Sequence, residues 1–389
     1  MNLIIGIIVG LIVLTILVAL HELGHALAAK HNGVKLEEFG IGFPPNVWSF
    51  KTKTNKVLPK GTKVSINWIP LGGFVKLQGE HDSDNKKGDY GKATFWGKTQ
   101  ILFAGVIMNW LVSIVIFTIL AIVGLPKLIP NQFYIKEDAK IIGGEITITD
   151  LKDGMPAKES GLEKGDQILA INGEKIESPE QISILAKNNV DKDIDFKIKR
   201  NNNELIKRVH ARKDNADGKG FLGTATTKTG EKIYSTWSAP VVGVCTTFQL
   251  TGETFKTLGD MVNNLFTGLY NKVVGGKNLE QKANEQIGKA GEGVAGPVMI
   301  IGQIFPQATQ SGLDTILLLM AIISLSLACM NVLPIPALDG GRWLQTFIFR
   351  KLLKKPLTVE IEEKINGYGF LFLMGLSLLI IVLDIIKIS

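Results

Sequence analysis

The chain has 389 residues, room for two or three domains, and a mean hydropathy of +0.21 that excludes an ordinary water-soluble enzyme. Two cysteines, Cys245 and Cys329, exclude a disulfide framework. The formal charge of +7 gathers beside apolar runs and not in an aromatic-interleaved basic stripe, which excludes nucleic acid as a partner.

Four uncharged apolar runs are long enough to cross a bilayer as helices: Leu3 to Leu20, Ile101 to Pro126, Thr315 to Leu338 and Ile365 to Leu383. The first lacks the positive leader of a signal peptide and is read as a retained span. At its inner end stands His21-Glu22-Leu23-Gly24-His25, followed by good helix formers. On a helix the two imidazoles, four residues apart, share one face and can grip one zinc ion. Glu22 beside them can take a proton from water that the metal activates.

From Ala26 to Gln100 there are 12 lysines against 6 acids, and from Arg342 to Lys355 five basic residues and no acid. Both stretches border spans, so the positive-inside rule puts them in the cytoplasm. The N-terminus and the segment between spans two and three then lie outside. Within the first basic stretch, Thr62 to Trp68 and Gly73 to Leu77 alternate around Ile69-Pro-Leu-Gly-Gly73 and are expected to form a membrane-associated hairpin or small sheet. Asn109 is a polar residue inside span two, expected to face another helix as a packing hydrogen bond or at the site itself.

The outer segment changes to short strands and turns. Gly161-Leu, Gly165-Asp166 and Ile171-Asn-Gly173 are followed by Ser178-Pro-Glu-Gln181, a capping-box helix start. Alternating Ile194, Phe196 and Ile198 pair across Asn201-Asn-Asn203 with a strand around Leu205 to Val209. This pattern resembles one PDZ domain, which implies a groove that adds a peptide strand, or a filter that admits only trimmed substrates. Gly143 and Gly144 are groove-loop candidates or a strand-entry turn. Beyond it, Phe248, Phe255, Leu258, Val262, Leu265 and Leu269 recur at helical spacing, until Gly288 to Gly296 is expected to break the helix before Pro297.

Span three runs into Asn331-Val-Leu-Pro-Ile-Pro-Ala-Leu-Asp339-Gly340-Gly341-Arg342. Spans one and three both run inward and end at one depth, so Asp339, the first charge after the span, comes level with the two histidines. A third zinc ligand is required; Asp339 is favoured on topology, Glu37 and Glu38 are rivals by proximity, and an Asp-Gly turn is the alternative. His31, His81 and His210 are expected on the surface.

Taken in order, His21 to His25, Phe39 to Pro45, Pro70 to Lys76, Ala104 to Asn109, Gly296 to Val298 and Asn331 to Gly341 resemble the site-2 protease family of intramembrane zinc metalloproteases, in particular the bacterial regulator of sigma-E protease type. The resemblance implies zinc held by His21, His25 and Asp339, with Glu22 as catalytic base. Asn331 would hold a substrate strand or an oxyanion. A membrane-dipping sheet beside the zinc would pair with an unwound substrate, at Gly72, Gly73 and Phe74.

The expected architecture is a polytopic α-helical membrane protein with four transmembrane helices, a membrane-associated β-hairpin or sheet and one extracytoplasmic α+β PDZ domain. The divisions are 1–126 (helices one and two with the β region), 127–228 (PDZ domain), 229–312 (amphipathic helical region) and 313–389 (helices three and four). The expected activity is zinc-dependent cleavage of transmembrane segments in single-span proteins, such as anti-sigma factors and remnant signal peptides, in the bacterial cell membrane. Partners are the substrates, the lipid bilayer and a peptide at the PDZ groove. Two rivals are a non-proteolytic scaffold and a metal transporter; intact His21, Glu22, His25 and Asp339 weigh against the first, and the scarcity of polar residues within the spans against the second.

Overall fold

The computed structural model describes residues 2–201, 203–215, 220–274, 276–291 and 296–388. Two compact units divide the chain: residues 1–120 with 240–389, and residues 121–239.

The first unit opens with α1 (Asn2–His31), followed by β1 (Leu36–Lys51), β2 (Lys63–Leu77) and α2 (Phe95–Val123). No proline interrupts α1, so its apolar run continues as one helix through His21 and His25 into Lys30. Gly24 lets the α2 backbone approach, since a Cβ there would strike the Ala104 carbonyl.

The expected hairpin takes another form. Residues 63–66 and 73–76 do not face each other; both lie against residues 38–41 of β1, one on each side, and residues 46–51 pair with 63–67. Each strand is bent back on itself, in β1 at Pro44-Pro45 and in β2 around Ile69 to Gly72. The result is a four-row sheet in the order 73–77, 36–41, 63–67, 46–51. Periodicity reports which residues alternate but not which neighbour they choose, so β1 was the missing partner. Thr15 Oγ1 of α1 donates to the Pro70 carbonyl at 2.6 Å, fastening the bend of β2 to the helix.

The second unit is α+β. In chain order it holds β3 (Leu125–Pro126), β4 (Lys140–Ile142), β5 (Glu145–Leu151), α3 (Pro156–Glu159), β6 (Gln167–Ile171), β7 (Glu174–Lys175), α4 (Pro179–Asn188), β8 (Asp193–Arg200), β9 (Asn203–His210), β10 (Thr224–Thr229) and β11 (Lys232–Tyr234). One sheet has the order β10-β5-β6-β8-β9 with β7 on β6; a small second sheet has the order β3-β11-β4. Ile194, Phe196 and Ile198, alternating along β8, are fully buried with Ile146, Ile148 and Ile171 beneath α3 and α4. The β8–β9 hairpin closes with Arg200 opposite Asn203; Asn202 lies outside the described residues. Gln181 accepts the Ser178 N–H at 3.2 Å, as the capping pattern predicts. Buried Asp166 accepts Arg200 Nε and Nη2 at 2.6 and 2.7 Å. Burial alone would raise its carboxyl; the Arg200 guanidinium outweighs that and holds it below the usual carboxylate range.

The chain returns to the first unit through α5 (Ala239–Val274) and α6 (Gly276–Gly291). The predicted amphipathic stretch lies within α5. α6 ends at Gly291, inside the stretch Gly288 to Gly296 expected to break the helix; residues 292–295 lie outside the described residues. Three short pieces follow: α7 (Pro297–Met299), a π-helical turn (Ile300–Ile304) and α8 (Phe305–Ser311). The π-helical turn and α8 pack on α1, where Phe305 is buried with Val13 and Leu17 and a Cβ on Gly10 would approach Phe305 to 2.8 Å. The sequence reading gave this segment only as the end of the helical region 229–312, because it is too short and too broken by Gly302 and Pro306 to register as a span.

The last elements are α9 (Leu313–Val332), α10 (Asp339–Phe347), a π-helical turn (Ile348–Leu352) and α11 (Val359–Ile388). Span three is shorter than read: Pro334 and Pro336 lack N–H donors and push the preceding residues out of helical geometry, so α9 stops at Val332. The chain turns through Ala337, at φ +76°, and α10 opens on Asp339. Glycine is required at 340 and 341, where any Cβ would strike the carbonyls of Val332 and Ile335. Among the described residues, four helices are long and apolar enough to cross a membrane: residues 3–31, 95–123, 313–332 and 359–382.

Behind α10, Asp82 forms a saturated ionic node. It is buried with Lys98 on Oδ1, while Oδ2 accepts Arg350 Nε at 2.8 Å and the Leu357 N–H at 2.9 Å; its own N–H donates to Glu362 at 2.9 Å.

Candidate metal centre

Helical spacing sets His21 and His25 one turn apart on α1, ring centroids 4.7 Å apart and nearly perpendicular. The turn into α10 delivers Asp339 to the same point. Its Oδ2 lies 3.1 Å from His21 Nε2 and 3.4 Å from His25 Nε2, and the two Nε2 atoms are 3.1 Å apart. Among the described residues, this is the one group of three side chains whose ligand-type atoms converge so closely. Glu37 and Glu38 are engaged elsewhere, on Lys76 at 3.1 Å and Lys63 at 3.0 Å. His31 and His210 are exposed, and His81 is partly exposed with Glu362 and Glu363 3.8 Å away.

Proton accounting shows what the convergence requires. His25 Nδ1 lies 2.7 Å from the Ile101 carbonyl, which can only accept, so a neutral His25 carries its proton on Nδ1 and turns a bare lone pair inward at Nε2. Asp339 Oδ2 is buried with no hydrogen-bond partner among the described residues. The His25 lone pair and a carboxylate charge packed this closely repel one another unless a proton on His21 Nε2 or a cation sits among them. Space for one exists because position 105 is glycine. A Cβ there would stand 2.5 Å from His25 Nε2 and 2.7 Å from His21 Nε2, filling the cradle. The donor set, two imidazoles and a carboxylate, suits zinc with an open position.

Glu22 adjoins the cradle and accepts the Val75 N–H at 3.0 Å through Oε2. A cavity of about 300 Å³ opens beside these groups, lined also by Phe74, Asn331, Tyr90 and Arg342. Asn331 turns its amide nitrogen back to the Leu327 carbonyl at 3.1 Å, leaving its oxygen free of that bond. Gly72 and Gly73 do not line the cavity. Gly72 takes φ +140°, and a Cβ on Gly73 would come within 2.9 Å of the Gly40 carbonyl, so both serve the bend and close approach that bring Phe74 and Val75 to the site.

The family model for peptidase family M50 matches residues 9–376. The chain belongs to that family. A protein of Clostridium perfringens named "putative zinc metalloprotease" is 31% identical over 98% of both chains. Similarly named proteins of Helicobacter pylori strain J99, 30% identical over 95% of this chain and 97% of the other, and of Agrobacterium fabrum, 25% identical over 94% and 92%, align almost end to end. This M50 peptidase is therefore a zinc metalloprotease of the site-2 protease family, with four helices apolar enough for a multi-pass membrane protein.

Sequence reasoning singled out Asn109 as facing another helix or the site, but missed the parts that Ile101 and Gly105 of α2 play. Ile101, Gly105 and Asn109 recur every four residues on the α2 face turned to His21 and His25, supplying a carbonyl, a cleared space and an amide. An every-fourth pattern that includes a glycine and an asparagine inside an apolar span was the available signal. A second cavity, of about 470 Å³, shares Glu80, Ala337 and Arg342 with the first. In the second unit a separate cavity of about 310 Å³ lies between α4 and the start of β10, lined by Ile182, Ala186, Phe221, Leu222, Gly223 and Thr224. Gly143 and Gly144 are not part of its lining; they take positive φ between β4 and β5, the strand-entry turn.

Proposed function

We propose that His21, His25 and Asp339 hold the zinc of this M50 peptidase, that Glu22 is its catalytic base, and that it cuts transmembrane segments of single-span proteins already trimmed outside. Anti-sigma factors and remnant signal peptides are the substrate classes, in regulated intramembrane proteolysis at the bacterial cell membrane. The N-terminus and second unit face outside and the site faces the cytoplasm, in keeping with the basic stretches at Ala26 to Gln100 and Arg342 to Lys355. The observation that carries the reading is the convergence of the His21 and His25 Nε2 atoms, the second bare in a neutral ring, and an orphaned carboxylate oxygen on a cradle cleared by Gly105.

Bound there, zinc supplies Lewis acidity that polarises a peptide carbonyl and lowers the pKa of water. Glu22, steadied at Oε2 by the Val75 N–H, has Oε1 for taking a proton from that water and passing it to the leaving nitrogen. Row 73–77 is an outer row of the sheet, and Phe74 and Asn331 border the cavity, so an unwound substrate would lie extended between them. Gly72 and Gly73 shape that row. The spans keep the site within lipid, away from folded chains.

The functional divisions are those at 1–126, 127–228, 229–312 and 313–389, with the second a PDZ domain. In its support, β10 is an edge strand with its open side toward α4, the arrangement that takes an added peptide strand.

The experiment is cleavage of a tagged, pretrimmed single-span reporter by the wild type and Glu22→Gln at matched levels. The variant should lose at least about a hundredfold in cleavage while retaining zinc. Equal cleavage by both would remove Glu22 from the chemistry.

A further inference from the structure

We infer that Asn109 fixes His21 in the tautomer a metal ligand needs, its side-chain oxygen accepting the Nδ1–H of His21. This rests on the ligand assignment proposed above. Asn109 is fully buried within α2, and its carboxamide lies 3.2 Å from His21 Nδ1. As placed, Nδ2 faces the imidazole and Oδ1 is buried without a partner among the described residues. That orientation would leave the His21 proton on Nε2, the atom that meets His25 and Asp339.

A ligating nitrogen carries no proton, so a neutral His21 bound through Nε2 must be protonated at Nδ1. Rotating the Asn109 amide by half a turn, a change of orientation at constant shape, brings Oδ1 to Nδ1–H and satisfies the orphaned oxygen. His25 has the same arrangement with a backbone acceptor, the Ile101 carbonyl at 2.7 Å. The two acceptors flank Gly105 on one face of α2, so a single helix orients both imidazoles and clears the space between them. Asn109 is itself held, since its carbonyl accepts Ser113 Oγ at 3.1 Å and Ser324 Oγ of α9 at 2.9 Å. It is a positioning residue, acting through His21.

The test is zinc affinity of the full-length protein, measured by competition with a chromophoric chelator, for the wild type, Asn109→Leu, Asn109→Asp and His21→Ala. Asn109→Leu keeps the shape and removes the acceptor; it should weaken zinc binding about 10- to 100-fold. Asn109→Asp keeps an acceptor and should bind close to the wild type. A packing amide predicts the reverse order, because leucine fits apolar surroundings and a buried carboxylate does not. Melting of the metal-free proteins checks the fold, with Asn109→Ala taking the place of the leucine variant if that one does not accumulate. Undiminished affinity in the acceptor-free variant, or an aspartate variant no better than it, overturns the proposal while leaving the ligand assignment intact, provided His21→Ala loses zinc. Full zinc affinity in His21→Ala overturns the ligand assignment, and this proposal with it.

Discussion

Two buried clusters of ionisable side chains lie in the first unit, and they are built on opposite terms. Asp82 has cations or N–H donors on both oxygens, from Lys98, Arg350 and Leu357. Asp339 has a buried oxygen with no hydrogen-bond partner among the described residues, set between two imidazole nitrogens of which the His25 one is an acceptor in a neutral ring. The first cluster is complete as it stands and ties the loop after β2 to α2 and to the turn before α11. The second offers a set of donor atoms that a cation would complete. Burial and charge alone do not separate a structural node from a reactive centre; the balance of donors against acceptors does.

The sharpest way to break this contrast is to fill the cradle. Gly105→Ala places a methyl among the converging ligand atoms and should abolish stoichiometric zinc binding and cleavage, with the metal-free fold still formed; metal analysis beside a melting curve reads both. A variant that kept full zinc would show that the cradle is not where the metal lies. A smaller effect is expected at the saturated cluster. Asp82→Ala leaves Lys98 buried without its partner and should cost about 3–5 kcal/mol of stability, while the molecules that remain folded bind zinc as before. Melting and metal content of the folded fraction check this, and parallel loss of zinc would mean that the two clusters are one.

How much of this was legible beforehand follows the physics of each signal. The spans and the His21/His25 pair were readable because apolar runs and helical spacing are local. Asp339 was reachable through topology, which sets the depth at which a span ends, although the proline turn that delivers it ended α9 six residues sooner than the apolar run suggested. The rows of β1 and β2 were not readable, because alternation does not name its partner strand. Nor were the Asp82 node or the Glu22–Val75 contact, which join residues far apart in sequence. Gly105 was legible as a residue type but not as a space, since only three-dimensional neighbours show what a missing Cβ leaves room for.

The most direct test of the central claim is the zinc content of the purified full-length protein beside Asp339→Ala and Glu22→Gln. The account predicts about one zinc per chain in the wild type and in Glu22→Gln, and loss of tightly held zinc in Asp339→Ala, where the proposed third ligand is gone. Zinc retained undiminished by Asp339→Ala would contradict it.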